Sequence, residues 1–173
     1  MIKLLICICC FTLMYGSIGV DARIGGAMLT ITDYFYLENY SEPVFQIGGY
    51  VHSSRQVKWL YSEFGVEYWS RPLNMDIPYY WIVWFVSIPV TAAVDLNNFR
   101  IGLGTDAMTI RGSENPHNRE RYSMSEMLDG FHLFAQAYGY ATERMGFTFT
   151  WKYDVQSCMT LKAMSVSLGI VYN

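Results

Sequence analysis

Met145-Gly146-Phe147-Thr148-Phe149-Thr150-Trp151-Lys152-Tyr153 is the stretch on which the fold turns. Successive side chains of a β-strand point to opposite faces, so Phe147, Phe149, Trp151 and Tyr153 share one face while Thr148, Thr150 and Lys152 share the other. A strand that is aromatic on one side and polar on the other lies between two different media. The same period of two recurs along the chain. Met164, Val166, Leu168, Ile170 and Tyr172 alternate with Ser165, Ser167 and Gly169. Leu60, Phe64, Val66 and Tyr68 oppose Tyr61, Glu63, Gly65, Glu67 and Trp69. Phe99, Ile101 and Leu103 oppose Arg100, Gly102, Gly104 and Asp106, and Phe131, Leu133, Ala135 and Ala137 oppose His132, Phe134, Gln136 and Tyr138.

Extended outward, this rhythm predicts eight strands over 28–37, 43–52, 57–69, 79–94, 99–110, 129–140, 145–155 and 163–172. Most are as long as a tilted strand needs to cross a bilayer. The first two are the least regular, because Asp33 and Gln46 fall on faces that otherwise read as apolar. Short links at 53–56, 95–98 and 141–144 alternate with longer polar links near 38–42, 70–78, 111–128 and 156–162. Outer-membrane barrels sort their connections in this way, with short periplasmic turns and longer outer loops. An even strand number places both ends of the barrel on the periplasmic side.

Composition agrees. Across 173 residues, 52% are hydrophobic, 17% aromatic and only 16% charged, well below an ordinary soluble domain. A net charge of -3 gives no basis for nucleic-acid binding. After the N-terminal region no segment is apolar enough for a membrane helix; the closest, 79–94, contains Pro89 and is rich in β-branched and aromatic residues. Residues 1–22 read as an export signal: Lys3 precedes the apolar run Leu4 to Tyr15, and Val20-Asp21-Ala22 places small residues where a signal peptidase cuts, giving Arg23 as the expected mature start. An uncleaved N-terminal anchor is the alternative. Cys7, Cys9 and Cys10 leave with the signal, and the remaining Cys158 forms no disulfide framework.

These features predict an all-β fold: an eight-stranded antiparallel up-and-down transmembrane barrel over 23–173. A bilayer core has no water to satisfy backbone polar groups, so a sheet crosses it only when closed on itself. At eight strands the interior is just wide enough to be filled by side chains. The inner faces bring Glu63, Glu67, Arg100, Asp106 and Lys152 into that interior, both signs of charge together, as a lumen charge network. Arg100 is expected to pair with Glu63 or Glu67, and Gly65, Gly102 and Gly104 to make room. Aromatic residues gather near strand ends (Tyr34 to Tyr36, Tyr68 and Trp69, Tyr79 to Trp81, Trp151 and Tyr153), as interfacial girdles do. The competing soluble reading puts the same charges in water on a β-sandwich.

The chain resembles the porin-like outer-membrane β-barrel domain family of Bacteroidetes. The resemblance rests on Val44-Phe45-Gln46-Ile47-Gly48-Gly49-Tyr50, the turn at 53–56, Trp59-Leu60-Tyr61-Ser62, Val86-Ser87-Ile88-Pro89-Val90 and Ile101-Gly102-Leu103-Gly104. The later hairpins match in rhythm alone. Two features differ: the C-terminal aromatic, Tyr172, is followed by Asn173, and the outer loops are short for the family.

No catalytic, cofactor-binding or metal-binding residue is assigned from the sequence. Some small outer barrels act on lipid A through a histidine with serine and acidic partners. His52 stands beside Ser53 and Ser54 but on the periplasmic side; His117 lies in a polar loop with Ser113, Glu114, Ser123 and Glu126; His132 reads as a lumen hydrogen-bonding residue. No cofactor is implied. The expected partners are outer-membrane lipid and, during biogenesis, the barrel assembly machinery, with the protein itself a monomer. Three functions remain open: a structural, envelope-integrity or surface-interaction barrel with a plugged lumen, a narrow pore for small solutes, and a secreted lipocalin-like ligand-binding barrel.

Overall fold

The structure, a computed structural model, describes residues 18–33, 38–53, 59–70, 81–114, 121–155 and 161–173. Its strands are β1 (Ile18–Asp33), β2 (Glu38–Ser53), β3 (Leu60–Ser70), β4 (Trp81–Asp95), β5 (Phe99–Glu114), β6 (Arg121–Tyr140), β7 (Met145–Val155) and β8 (Leu161–Tyr172). Each pairs antiparallel with its sequence neighbour, and β1 pairs with β8 from Val20↔Tyr172 to Ile31↔Leu161, closing an eight-stranded barrel. The all-β, up-and-down barrel expected from the sequence is the observed fold.

Several boundaries differ from expectation, two of them by eight residues or more. β1 begins at Ile18, ten residues before the expected start of the first strand, and passes through the expected signal boundary at Ala22 and Arg23. The pairs Ile18↔Ser53 to Ala22↔Gly49 join this stretch to β2. The reason lies in the same period of two: Ile18, Val20 and Ile24 are exposed, while Asp21 and Arg23 are buried in the barrel. The second difference is β6, which begins eight residues early and runs for 20 residues. Residues 38–42, expected to form a link, belong to β2, and 111–114 and 121–128 of the expected link 111–128 belong to β5 and β6. β6 pairs with β7 only from Phe131 to Tyr140, whereas Arg121 to Asp129 pair with β5 alone, so β4, β5 and β6 continue as a ribbon past the end of β7.

At the opposite end, here termed the turn end, the β4–β5 and β6–β7 hairpins are tight. Asn97 and Asn98 both have positive φ, 57° and 84°, the conformation a two-residue hairpin turn takes and one that asparagine tolerates. Asp95 Oδ1 accepts a 3.2 Å hydrogen bond from the Asn97 amide. In the β6–β7 turn, Thr142 Oγ1 accepts from the amides of Arg144 and Met145 at 3.3 and 3.0 Å.

The burial pattern is inverted relative to a soluble protein. Phe147, Phe149, Ile101, Leu103, Leu168 and Ile170 are exposed on the outer wall, Phe147 and Leu168 each at 62%, while charged and polar side chains fill the inside. Trp69, expected in an aromatic girdle, points inward and is 1% exposed; Trp151 and Tyr153 are half-buried on the outer wall. Tyr34 to Tyr36, Tyr79 and Tyr80 lie outside the described residues.

Two irregularities converge on one place. Pro89 has no N–H for the ladder, and the β4–β5 register shifts between Ile88 and Pro89. The β5–β6 register shifts between Gly104 and Asp106, where Gly130 takes a positive φ of 67° and its carbonyl accepts from Thr105 Oγ1 at 2.8 Å. A bulge with glycine in the left-handed region is the standard way to insert one residue in a strand. Asp106 sits at both shifts.

Candidate functional site

The candidate site is the lumen, where three basic side chains organise the interior in tiers. Nearest the turn end, Arg100 Nε bonds Asp95 Oδ2 at 3.1 Å and its Nη1 donates to Gln136 Oε1 at 2.6 Å. Its guanidinium lies 3.9 Å from the ring centres of both Tyr61 and Tyr138. The Tyr138 hydroxyl donates to Asp95 Oδ1 at 2.7 Å, and Gln136 Nε2 to Thr150 Oγ1 at 3.0 Å.

One tier further in, Arg23 is the hub. Its Nε bonds Asp21 Oδ2 at 2.7 Å, and Nη1 and Nη2 form a two-pronged contact with Glu63, the Nη1 arm at 3.1 Å. The flat guanidinium matches a carboxylate fork, which gives both strength and orientation. Glu63 also accepts from the Tyr61 hydroxyl at 2.6 Å and from Thr91 Oγ1 at 3.4 Å. The ring of Tyr50 lies 3.9 Å from the Arg23 guanidinium carbon.

Above it, Glu67 accepts from Tyr50 OH at 2.6 Å, Lys152 Nζ at 2.8 Å, Trp69 Nε1 at 3.0 Å and Ser87 Oγ at 3.4 Å. Lys152 also reaches Asp154 Oδ1 at 3.2 Å. Trp69 then stacks on Phe85 with ring centres 4.7 Å apart, and both join Ala27, Leu29, Val44 and Ala163 in a buried apolar cluster. Buried charges are tolerable only when paired and further hydrogen-bonded, and Glu63 and Glu67 meet both conditions.

Of the five residues expected to share a lumen network, Glu67 and Lys152 are in contact, and Asp106 lies in the same region, near His132 and Asp154. Arg100 does not take a glutamate: Asp95, in its own hairpin, is its ion-pair partner, and Glu63 is held by Arg23. Asp21, Arg23, Asp95 and Asp154 are charged members, among the described residues, that the sequence reading left out. Asp21 and Arg23 alternate with Val20 and Ile24 in the period that marks the other strands, a signal hidden by the export reading of the same segment. His132 is wholly buried and shares a 2.9 Å hydrogen bond with Thr91 Oγ1, in keeping with its expected lumen role. His52 is buried at the turn end beside the Ser53 carbonyl. His117 lies outside the described residues.

No protein-family model matches the chain, and no curated protein matches it by sequence. Solved structures do match by fold. Neisserial surface protein A is similar with a TM-score of 0.58 at 10% identity, over 90% of this chain and 96% of that one. Ail, the attachment invasion locus protein of Yersinia pestis, solved with the heparin analogue sucrose octasulfate, is similar with a TM-score of 0.57 at 9% identity, over 90% and 98%. The N-terminal β-barrel domain of Pseudomonas aeruginosa OprF is similar with a TM-score of 0.50 at 12% identity, over 89% and 97%. The chain thus has the fold of the small outer-membrane β-barrels, over nearly its whole described length.

Proposed function

We propose that this protein is a lipid-embedded barrel of a bacterial outer membrane, with a plugged lumen and a structural, envelope-integrity or surface-interaction role. One observation carries the reading: an exposed belt of large apolar side chains surrounds an interior of hydrogen-bonded ion pairs. In water that arrangement would leave the apolar belt unpartnered, since soluble proteins rarely expose apolar patches of more than a few hundred Å²; in a bilayer the acyl chains cover it. A lipocalin-like carrier calls for the reverse, an apolar cavity inside. The ribbon formed by β4, β5 and β6 beyond the end of β7 extends outward from the lipid and is the natural surface for a partner. The names of two similar structures, a surface protein and an attachment locus protein, are in keeping with that role. The Ile101-Gly102-Leu103-Gly104 stretch and its apolar partner strand support the further proposal of kinship with the Bacteroidetes barrel domains.

Fractionation of expressing cells, followed by gel mobility with and without boiling, tests the reading. The expected result is recovery with outer membranes and a compact form that runs differently until heated. A soluble, heat-indifferent protein would overturn it. The narrow-pore alternative is opposed by Arg23, Glu63, Tyr50, Tyr61, Trp69, Phe85 and Phe134 filling the lumen; planar-bilayer recordings of the purified barrel are expected to show no steady conductance.

A further inference from the structure

Asp106, His132 and Asp154 come from three neighbouring strands, and each is buried. One oxygen of each aspartate and a ring nitrogen of His132 all lie within 4.8 Å of one another. His132 and Asp154 are direct partners across β6 and β7, and Gly104, directly opposite His132 on β5, leaves the space that the imidazole occupies. Asp106 is set beside them by the two register shifts of β5, and bulges of this kind often re-aim a side chain at a functional site.

His132 Nε2 and Thr91 Oγ1 are 2.9 Å apart, so one ring nitrogen is engaged by the threonine. The other, Nδ1, faces Asp154 Oδ1 at 3.7 Å, too far for a hydrogen bond. Neither His132 Nδ1 nor Asp154 Oδ2 has a hydrogen-bond partner among the described residues, and both are buried. Lys152 reaches only Oδ1 of Asp154, at 3.2 Å, and shares its ammonium with Glu67 at 2.8 Å. Burying polar atoms without a hydrogen-bond partner is costly.

We propose that Asp106, His132 and Asp154 bind a divalent transition-metal cation of the Zn²⁺ class in the lumen. One imidazole nitrogen and two carboxylate oxygens form a donor set suited to zinc and its neighbours, whereas calcium and magnesium favour all-oxygen shells. Bond lengths of about 2.0–2.2 Å require the three ligand atoms to close in by roughly 1 Å, which rotation of the two carboxylates supplies. The Thr91 and Glu63 contacts hold the imidazole by its other nitrogen, as a metal-bound histidine is commonly held. Asp154 is one residue from the end of β7, which places the site at the outer edge of that strand.

The test uses the full barrel, purified in detergent, treated with chelator and dialysed against Zn²⁺, with bound metal measured by mass spectrometry. The wild type is expected to retain about one equivalent, and His132→Gln and Asp154→Asn to bind roughly tenfold or more weakly, while His52→Gln binds as the wild type does. Heat-modifiable mobility verifies that each variant is folded. Co²⁺ substitution of the wild type gives a measurement that needs no variant: intense visible bands of a low-coordinate nitrogen–oxygen site are expected. No uptake by the wild type, uptake equal in all variants, or a Co²⁺ spectrum of the hydrated ion would each overturn the proposal.

Discussion

Arg23 of β1 reaches past the whole of β2 to grip Glu63 of β3 with two guanidinium nitrogens, while its third holds Asp21. The contact bridges strands that share no ladder, so it fastens the wall across the lumen. Removing one member of a buried pair leaves the other charge without compensation, at a cost of about 3–5 kcal/mol. Arg23→Met is expected to destabilise the barrel by that order, and adding Glu63→Gln to recover part of the loss. Urea unfolding in lipid vesicles of the wild type, single and double variants gives the coupling; strictly additive losses would sink the pair.

Arg100 is expected to matter less. Its carboxylate partner, Asp95, is the last residue of β4, beside the turn, and its side chain is 16% exposed, so water partly compensates it when Arg100 is lost. Arg100→Met should cost less than Arg23→Met in the same assay. Asp95→Asn, and not Glu63→Gln or Glu67→Gln, should offset it; rescue by the glutamate variants would show a pairing other than the observed one.

The outer wall is tested by charge. Phe149 and Leu168 are direct partners across β7 and β8, both exposed and at mid-strand. An arginine near the bilayer midplane costs roughly 2–4 kcal/mol in such barrels. Phe149→Arg and Leu168→Arg should each lower the folded fraction in vesicles, while Phe149→Leu leaves it near wild type. Full tolerance of both arginines would place this face away from lipid.

Gly104 is expected to resist any side chain. A Cβ there would overlap the His132 imidazole and lie 2.5 Å from the Val90 carbonyl oxygen. Overpacking of this kind costs about 1–3 kcal/mol, so Gly104→Ala should lower the urea midpoint. His132→Ala in the same chain should return part of it, the backbone contact with Val90 remaining. A Gly104→Ala barrel as stable as the wild type would mean that His132 sits elsewhere.

The cleavage expected before Arg23 conflicts with β1. Cleavage before Arg23 would remove Asp21, which bonds Arg23 and accepts from Thr148 Oγ1 at 3.4 Å, together with the ladder pairs of Ile18 to Ala22. N-terminal sequencing of the membrane form is expected to find the mature start at or before Ile18. A start at Arg23 would show that the Asp21 contacts are dispensable.

The sequence by itself determined the number of strands, their antiparallel order and, for β3, β5, β6, β7 and β8, which side chains face outward. Those properties are local: a period of two survives in any window of a few residues, and Phe147-Thr148-Phe149-Thr150 declares both faces without reference to another strand. Glu63, Glu67, Arg100, Asp106 and Lys152 were correctly turned inward for the same reason. At residues 18–23 the strand is not read from the sequence, because the small residues of Val20-Asp21-Ala22 read as a cleavage motif rather than as part of β1. Only the tertiary structure decided who meets whom inside. Closure at eight strands brings opposite walls within side-chain reach, so partners follow from barrel shear, side-chain length and bulges rather than from sequence separation. That is why Glu63 found Arg23 instead of Arg100, why Trp69 became a lumen plug, and why two register shifts near Pro89 and Gly130 set Asp106 beside His132 and Asp154.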